Sequence, residues 1–185
     1  MGELDGKVAI VTGAGRLRGI GRAAAVALAR LGADVVLTGT GRSPDSFPED
    51  EKSIGWRDIH SVADQVREIG TRALPMVVDV TDRQAVQTMV DKTLEELGRV
   101  DILINNAAFA RGVDRVPISD LDEDIFQKVM DIKVTGTFLC TKASIKPMID
   151  QGDGGKIVNI SSTAGKRGSA NTLAYNGANL SLIHI

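Results

Sequence analysis

The 185-residue chain is poor in cysteine, histidine and aromatic residues, and each scarcity removes a class of function. Its one cysteine, Cys140, cannot form an internal disulfide, which fits a reducing compartment, and its apolar helical surroundings favour packing over a nucleophilic role. Aromatic residues make up 3% of the chain, too few for platforms that stack nucleic-acid bases. Histidine, cysteine and acidic residues nowhere show the spacing of metal ligands, so the sequence predicts no metal site.

Charge and hydropathy argue against two further classes of partner. The net charge of −2 gives no sign of a nucleic-acid surface. The longest apolar runs have the length of strands, so none is expected to span a membrane. The N-terminus, Met1–Asp5, is acidic and lacks the apolar stretch of a secretory signal, and the sequence therefore predicts a cytoplasmic protein.

What the chain does have is a regular alternation of strand-sized apolar runs and segments with helical periodicity. The predicted strands are Lys7–Thr12, Asp34–Thr38, Ala73–Val78, Val100–Ile104 and Lys156–Ile160. The predicted helices are Ile20–Leu31, Asp58–Ile69, a helix opened by a Thr81–Gln84 capping box and ended at Gly98, and Glu123–Asp150. This alternation predicts a single α/β domain over residues 1–185, a three-layered, doubly wound parallel sheet in the order 3-2-1-4-5. The polar stretch Gly41–Trp56 is predicted to be an exposed excursion after the second strand.

A glycine-rich loop follows the first strand directly. It reads Thr-Gly-Ala-Gly-Arg-Leu-Arg-Gly-Ile-Gly over residues 12–21. Glycines let backbone N–H groups approach a pyrophosphate, and the N-terminus of the following helix supplies positive potential. Because a strand precedes the loop and a helix and second strand follow it, the context is that of a dinucleotide-binding Rossmann unit rather than of a simple turn.

The loop and three later motifs together resemble the short-chain dehydrogenase/reductase family over nearly the whole chain, to about Ala178. The later motifs are Asp79-Val80, Asn105-Asn106-Ala107-Ala108 and a Ser162…Tyr175 pair. The loop is longer than the family pattern by Leu17-Arg18. The resemblance implies a Rossmann-type fold, an NAD(P) cofactor and cofactor contacts at specific positions. These positions are Gly13, Gly15, Arg18, Gly19, Ile20, Thr40, Arg42, Asp79, Val80, Asn106, Ala107 and Tyr175.

The end of the second strand usually decides between the two nicotinamide coenzymes, because an acid there bonds the 2′-hydroxyl of the adenosine ribose in NAD enzymes. Residues 38–42 hold no carboxylate, whereas Arg42, helped by Arg16 or Arg18, could pair with a 2′-phosphate. The sequence therefore favours NADP(H) over NAD(H), with Arg42 as a solvated loop residue being the alternative.

Ser162 and Tyr175 resemble the catalytic serine and tyrosine of the family. Hydride transfer to a carbonyl leaves an oxygen that needs a proton, which a positioned phenol can give. A serine hydroxyl can hold the same oxygen and stabilise its developing charge. Read without the upstream motifs, the two residues would instead be a turn residue and a packing aromatic.

Two positions depart from the family pattern. Asn179 stands where the pattern Tyr-x-x-x-Lys has a lysine that holds the nicotinamide ribose, and Lys133 stands where the pattern Asn-x-x-Gly has an asparagine. Residues 179–185 do not resemble the family's continuation and are interpreted as a non-native tail on a truncated chain, a naturally short homologue being the alternative. Lys133 as a substitute for the missing cation is a further, weaker hypothesis.

The sequence thus predicts an oxidoreductase that interconverts a ketone and a secondary alcohol, with little or no activity in this chain. A non-catalytic dinucleotide-binding protein is the alternative, followed by a Rossmann-type methyltransferase, which normally needs an acid after the second strand. The expected partners are a small carbonyl or alcohol substrate and, for the full-length form, further copies of the chain. The substrate pocket is expected between residues 109–120 and 163–174.

Overall fold

The computed structural model describes residues 2–110 and 112–184 and contains a five-stranded parallel sheet. Its strands are β1 (Val8–Val11), β2 (Asp34–Gly39), β3 (Ala73–Val77), β4 (Ile102–Asn105) and β5 (Lys156–Asn159). They lie in the order β3-β2-β1-β4-β5, with Ile10 beside Val36 on one side and Leu103 on the other. This confirms the predicted α/β fold and strand order. The strand order reverses at β1, so the loop that follows β1 lies at the crevice where such sheets bind ligands.

Helices cover both faces of this sheet. They are α1 (Ile20–Arg30), α2 (Glu49–Lys52), α3 (Ile59–Ile69), α4 (Arg83–Leu97), α5 (Glu123–Met130), α6 (Gly136–Asp150) and α7 (Leu173–Leu182). Alternate residues of the central strands feed two apolar clusters. Val35 and Leu37 pack with α1 and α3 on one face, while Ile10 and Val36 pack with α4 and α6 on the other. Burial on both faces explains why these strands read as nearly continuous apolar runs.

The start of α4 differs from the predicted capping box. Asp82, and not Thr81, caps the helix, because its carboxylate accepts the backbone N–H groups of Gln84 and Ala85 at 2.8 and 3.1 Å. Thr81 instead donates its hydroxyl and its backbone N–H to Asp79. A carboxylate at the N-cap of a helix also complements the helix dipole, which a threonine cannot do.

The predicted helix Glu123–Asp150 is present but is not uniform. Between α5 and α6 the chain passes through a wider π-helical segment, Asp131–Thr135. Segments of this kind occur often at functional sites because they redirect side chains. Here the segment places the side chain of Lys133 in the interior, with 5% of its surface exposed.

The segment 41–56 is not the purely exposed excursion that the sequence suggested. Most of its residues face solvent, but Phe47, Glu51 and Trp56 are buried with 5%, 3% and 7% of their surface exposed. Phe47 and Trp56 join the apolar cluster on the α1 and α3 face. The segment therefore folds back over the body of the domain, where it meets the loop after β1.

The described residues contain no helix that is both long enough and apolar enough to cross a membrane.

Candidate active site

The loop after β1 has the backbone shape that the glycine pattern predicts. Gly13 has a φ of +65°, and a Cβ there would lie 2.8 Å from the Cα of Ala107. Only glycine fits that combination of left-handed backbone and close approach. The loop is anchored to β2 by the N–H of Ala14, which donates to the carbonyl of Thr38 at 2.8 Å. Gly19 then precedes α1 as its N-cap residue.

The N-terminus of α1 is open in the part of the chain that the structure describes. No side chain caps it, and its first turn holds no acidic residue. Helix N-termini need partners for their free N–H groups and carry partial positive charge. Backbone donors of this kind fit the pyrophosphate of a dinucleotide. Ile20, the first helical residue, leaves 63% of its surface exposed at this end.

Thr12 and Asn106 hold the glycine loop against the end of β4. The Asn106 amide donates to the carbonyls of Thr12 and Gly13, both at 2.9 Å. The Thr12 hydroxyl accepts the backbone N–H groups of Asn106 and Ala107, both at 3.0 Å. Asn106 and Ala107 thus lie together with Gly13, as the resemblance implied. Thr12 opens the glycine-rich stretch, but its role as the bridge to β4 was not predicted.

Asp79 and Val80 follow β3 at the same edge of the sheet. The Asp79 carboxylate is exposed and accepts both bonds from Thr81, so it stays next to the crevice. Val80 is buried and packs against Gly136. A Cβ added at Gly136 would lie 2.6 Å from the Cγ2 of Val80. Thr40 is exposed just beyond the end of β2. These three positions border the crevice, and whether each touches a cofactor stays a prediction.

Arg42 is not the free cation that the sequence suggested. Its guanidinium donates to Glu51 at 3.0 Å and to Asp58 at 2.8 and 3.2 Å. Burial lowers the pKa of Arg42, but the hydrogen bonds to Glu51 and Asp58 outweigh it, and the pKa is raised. Arg18 is likewise paired, with Asp50 at 2.8 Å, although it is largely exposed. The premise of an unpaired arginine for a 2′-phosphate is therefore wrong for Arg42.

The segment that supplies Glu51 also supports the loop directly. The Trp56 indole N–H donates to the carbonyl of Gly15 at 2.7 Å, and Glu51 accepts the backbone N–H of Leu17 at 2.9 Å. These contacts were missed because a lone tryptophan and glutamate in a polar stretch carry no periodic pattern. The only available signal was the presence of the bulky apolar residues Phe47 and Trp56 among prolines and charges.

Ser162 and Tyr175 lie on two segments that pack together. Ser162 begins the turn at 163–165 after β5, and its Oγ accepts the N–H of Ala164 at 3.1 Å. Tyr175 lies in the first turn of α7. The two segments are joined where the Ser161 hydroxyl donates to the carbonyl of Asn179 at 2.9 Å, one helical turn after Tyr175. Because Ser162 Oγ accepts from Ala164, its own hydrogen stays available for a substrate oxygen.

Asn179 is held inside the protein with 2% of its surface exposed. Its amide nitrogen donates to the carbonyl of Tyr175 at 2.8 Å. The side chain is neutral, so it brings no charge to the phenol of Tyr175.

A cation lies instead on the ring of Tyr175. The guanidinium carbon of Arg115 is 4.0 Å from the ring centroid. Asp114, which is buried, pairs with Arg115 at 3.1 Å and keeps it in place. Sequence reasoning missed this contact, because nothing in the loop that holds Arg115 relates it to a tyrosine 60 residues later.

Lys133 points to the end of β5. Its ammonium donates to the carbonyl of Ile160 at 2.6 Å, two residues before Ser162. Burial lowers its pKa to about 8. The bond fixes the strand end that leads into Ser162, and a substitute role for the family's lysine stays a hypothesis.

A cavity of about 700 Å³ opens beside α7. It is bordered by residues 116–118 and 164–173, and by Asn176, Gly177 and Leu180 of α7. The first two of these stretches fall within the segments predicted to form the substrate pocket. Ile118, Leu173 and Leu180 expose between 45% and 72% of their surface there, so the lining is partly apolar and open.

Comparison with known proteins shows which family has this arrangement of loop and site residues. The family model for short chain dehydrogenases matches residues 7–185. The chain belongs to the short-chain dehydrogenase family. It is 41% identical to the short chain dehydrogenase/reductase astE of Aspergillus oryzae over 94% of this chain, and 35% identical to a sorbitol dehydrogenase of Cereibacter sphaeroides over 91%.

Solved structures of dehydrogenases in the family share the fold. An NAD⁺-bound xylitol dehydrogenase superposes with a TM-score of 0.84 at 35% identity, over 98% of this chain and 63% of that one. A carveol dehydrogenase of Mycobacterium avium in complex with NAD gives 0.85 at 32% identity, over 100% and 64%. The chain spans 60% of the astE protein and 57% of the sorbitol dehydrogenase.

Proposed function

We propose that the protein is an NAD(P)-dependent oxidoreductase that interconverts a ketone and a secondary alcohol by hydride transfer. The observation that carries the proposal is the open N-terminus of α1 behind the Gly13 loop, which Asn106 clamps to β4. The family supports it, since the relatives and solved structures described above are named dehydrogenases. A cytoplasmic location and a homo-oligomeric state remain predictions of the sequence.

The coenzyme-binding residues follow from the crevice. Backbone N–H groups at Gly15 and Ile20 would hold the pyrophosphate, and Asp79 and Val80 would border the adenine. The N–H of Gly19 donates to the carbonyl of Arg16 at 3.0 Å, so Gly19 would shape the loop around the pyrophosphate. Asn106 acts through the loop, because its amide fixes the carbonyls of Thr12 and Gly13 and so sets the direction of the loop's N–H groups. When bound, the nicotinamide supplies or accepts the hydride.

The chain's own residues would handle the substrate oxygen. Ser162 would donate its hydroxyl hydrogen to that oxygen, since its lone pair is engaged by Ala164. Tyr175 would give the oxygen its proton during reduction and take it back during oxidation. Arg115 holds the Tyr175 ring by its face, which fixes the direction of the phenol. The cavity beside α7 would take the remainder of the substrate.

Turnover by this chain is expected to be slow. In the pattern that the family resemblance implies, a lysine at position 179 would anchor the ribose and stabilise a tyrosinate by its charge. Asn179 supplies neither the charge nor the reach, because its amide is committed to the Tyr175 carbonyl.

Isothermal titration calorimetry with NADH and NADPH tests the proposal, with S-adenosylmethionine as the ligand of the rival methyltransferase function. We expect a nicotinamide coenzyme to bind the wild type and Gly13→Ala to weaken that binding by at least about tenfold, equal to 1.4 kcal/mol. Gly6→Ala is the matched control, since Gly6 has a similar φ of +74° but open space around its Cβ position. Binding of S-adenosylmethionine alone, or of no ligand, would contradict the proposal.

A further inference from the structure

Three charged residues form a buried cluster between the glycine loop and the end of β2. Arg42 bridges Glu51 and Asp58, and the exposed side-chain fractions of the three are 17%, 4% and 9%. Every N–H-bearing nitrogen of the Arg42 guanidinium is within hydrogen-bond reach of Glu51, Asp58 or the carbonyl of Gly15. We call these three residues the Arg42 cluster.

The cluster lies where the fold places the adenosine ribose of a bound dinucleotide. The Asp58 carboxylate lies so close to Gly15 that a Cβ added at Gly15 would overlap the carboxylate. A Cβ added at Gly39 would lie 3.4 Å from Asp58 Oδ2. Gly15 belongs to the phosphate loop and Gly39 ends β2. In dinucleotide-binding sheets, the ribose 2′ position is recognised next to these two elements.

Asp58 occupies this position with a strained backbone and with one carboxylate oxygen unpaired among the described residues. Its φ of +53° is unfavourable for a residue with a side chain, and its buried Oδ2 has no hydrogen-bond partner among the described residues. Strained backbone and unsatisfied buried oxygens are uncommon and gather at functional sites. If Asp58 served only to pair with Arg42, nothing would require its Oδ2 to stay without a partner beside the loop.

The charges of the cluster sum to −1, because one arginine faces two carboxylates. The second oxygen of Glu51 is bonded to the N–H of Leu17, so this carboxylate also lies directly on the loop. A 2′-phosphate carries negative charge and would approach this group of largely buried charges, whose repulsion is stronger than it would be in bulk water. A 2′-hydroxyl carries none and meets no such penalty.

We propose that the Arg42 cluster makes this protein select NAD(H) over NADP(H), with Glu51 and Asp58 as the specificity-determining residues. This inference rests on the proposed dinucleotide binding. It reverses the sequence-based preference, because the structure commits Arg42 to two acids and brings Asp58 back to the end of β2 from 19 residues further along the chain. The NAD-bound relatives are consistent with it.

The test is the ratio of the NADPH and NADH dissociation constants in a series of graded charge. Calorimetry would compare the wild type, in which the Arg42 cluster has a charge of −1, with three variants. The charge of the cluster is 0 in Glu51→Gln and in Asp58→Asn, and +1 in the double variant. We expect the wild type to bind NADH more tightly by about tenfold or more, and each charge removed to shift the ratio toward NADPH by about tenfold. A loss of folded protein affects both constants equally, so the ratio stays readable in weakened variants.

Glu49→Gln is the control, because Glu49 is an exposed acid of the same segment and lies outside the cluster. Its ratio should equal that of the wild type. Tighter binding of NADPH by the wild type, for example through the exposed Arg16, would overturn the inference. An unchanged ratio across the series would do the same. Failure of both coenzymes to bind any variant would instead refute the proposed function on which the inference rests.

Discussion

At the scale of single residues, Tyr175 carries the clearest expectation. Tyr175→Phe removes the hydroxyl but keeps the ring beneath Arg115, so α7 should pack as before. We expect the rate of ketone reduction to fall by about 100-fold or more, the usual worth of a positioned acid, with coenzyme affinity unchanged. Single-turnover measurements at high protein concentration would detect the slow wild-type reaction. Equal rates in the two proteins would exclude Tyr175 as the proton donor.

Lys133 gives a pH dependence of stability that can be checked without any ligand. Its pKa falls from 10.5 to about 8 on folding, because burial disfavours the ammonium. Between these two values the unfolded state binds more protons, so the free energy of unfolding contributed by this residue rises with pH. Burial of the Lys133 ammonium lowers the free energy of unfolding by about 3 kcal/mol, and this loss applies in full below about pH 8.

Lys133→Met should therefore be more stable than the wild type at pH 7, and the difference should shrink as pH rises through 8 to 10. The lost bond to the Ile160 carbonyl offsets part of the gain, by about 1 kcal/mol. Urea unfolding followed by circular dichroism at several pH values measures the difference. Lys128→Met, at an exposed position of α5, should show no such trend. A pH-independent difference would mean that the Lys133 ammonium is not destabilised by burial.

At the scale of elements, the segment between β2 and α3 supports the glycine loop through hydrogen bonds from Trp56 and to Glu51. Trp56→Phe keeps most of the buried apolar volume but removes the N–H donated to Gly15. We expect the free energy of unfolding to fall by about 1 kcal/mol, the usual contribution of one hydrogen bond, because the Gly15 carbonyl keeps only the longer contact with Arg42 at 3.4 Å. Coenzyme binding should weaken as well.

Val62→Ala is the matched control for Trp56→Phe. Val62 is fully buried in the same apolar cluster, and its side chain has no group that could hydrogen-bond to the loop. Its truncation should lower stability by a similar amount while leaving coenzyme affinity of the folded protein unchanged. If Trp56→Phe also leaves affinity unchanged, the segment contributes stability only.

The elements also show what the sequence could predict. Strands and helices followed from apolar runs and helical periodicity, and the glycine loop with Asn106 followed from motifs next to them. The cap at Asp82 was missed because aspartate and threonine both suit that position, and only the backbone decides between them. The pairing of Arg42 with Glu51 and Asp58 was beyond prediction, since it depends on how an irregular segment folds back in three dimensions.

At the scale of the whole molecule, the two edges of the described sheet differ from its centre. β5 has one neighbour, β4, and Ile157 and Val158 expose 36% and 44% of their surface. Exposed apolar edge strands favour pairing with other chains. We expect concentration-dependent self-association, which Val158→Lys should reduce in light-scattering measurements. Ile149→Lys changes an equally apolar exposed residue on α6 and should have less effect.

The position of Trp56 gives the protein a built-in optical probe. It is the only tryptophan of the chain, and its indole is bonded to the loop backbone and lies 5.7 Å from the Arg22 guanidinium. Indole emission responds to the polarity and charge around the ring, and reduced nicotinamide absorbs light in the range where tryptophan emits. The fluorescence of the unlabelled protein should therefore report both whether the loop is occupied and whether the bound coenzyme is reduced.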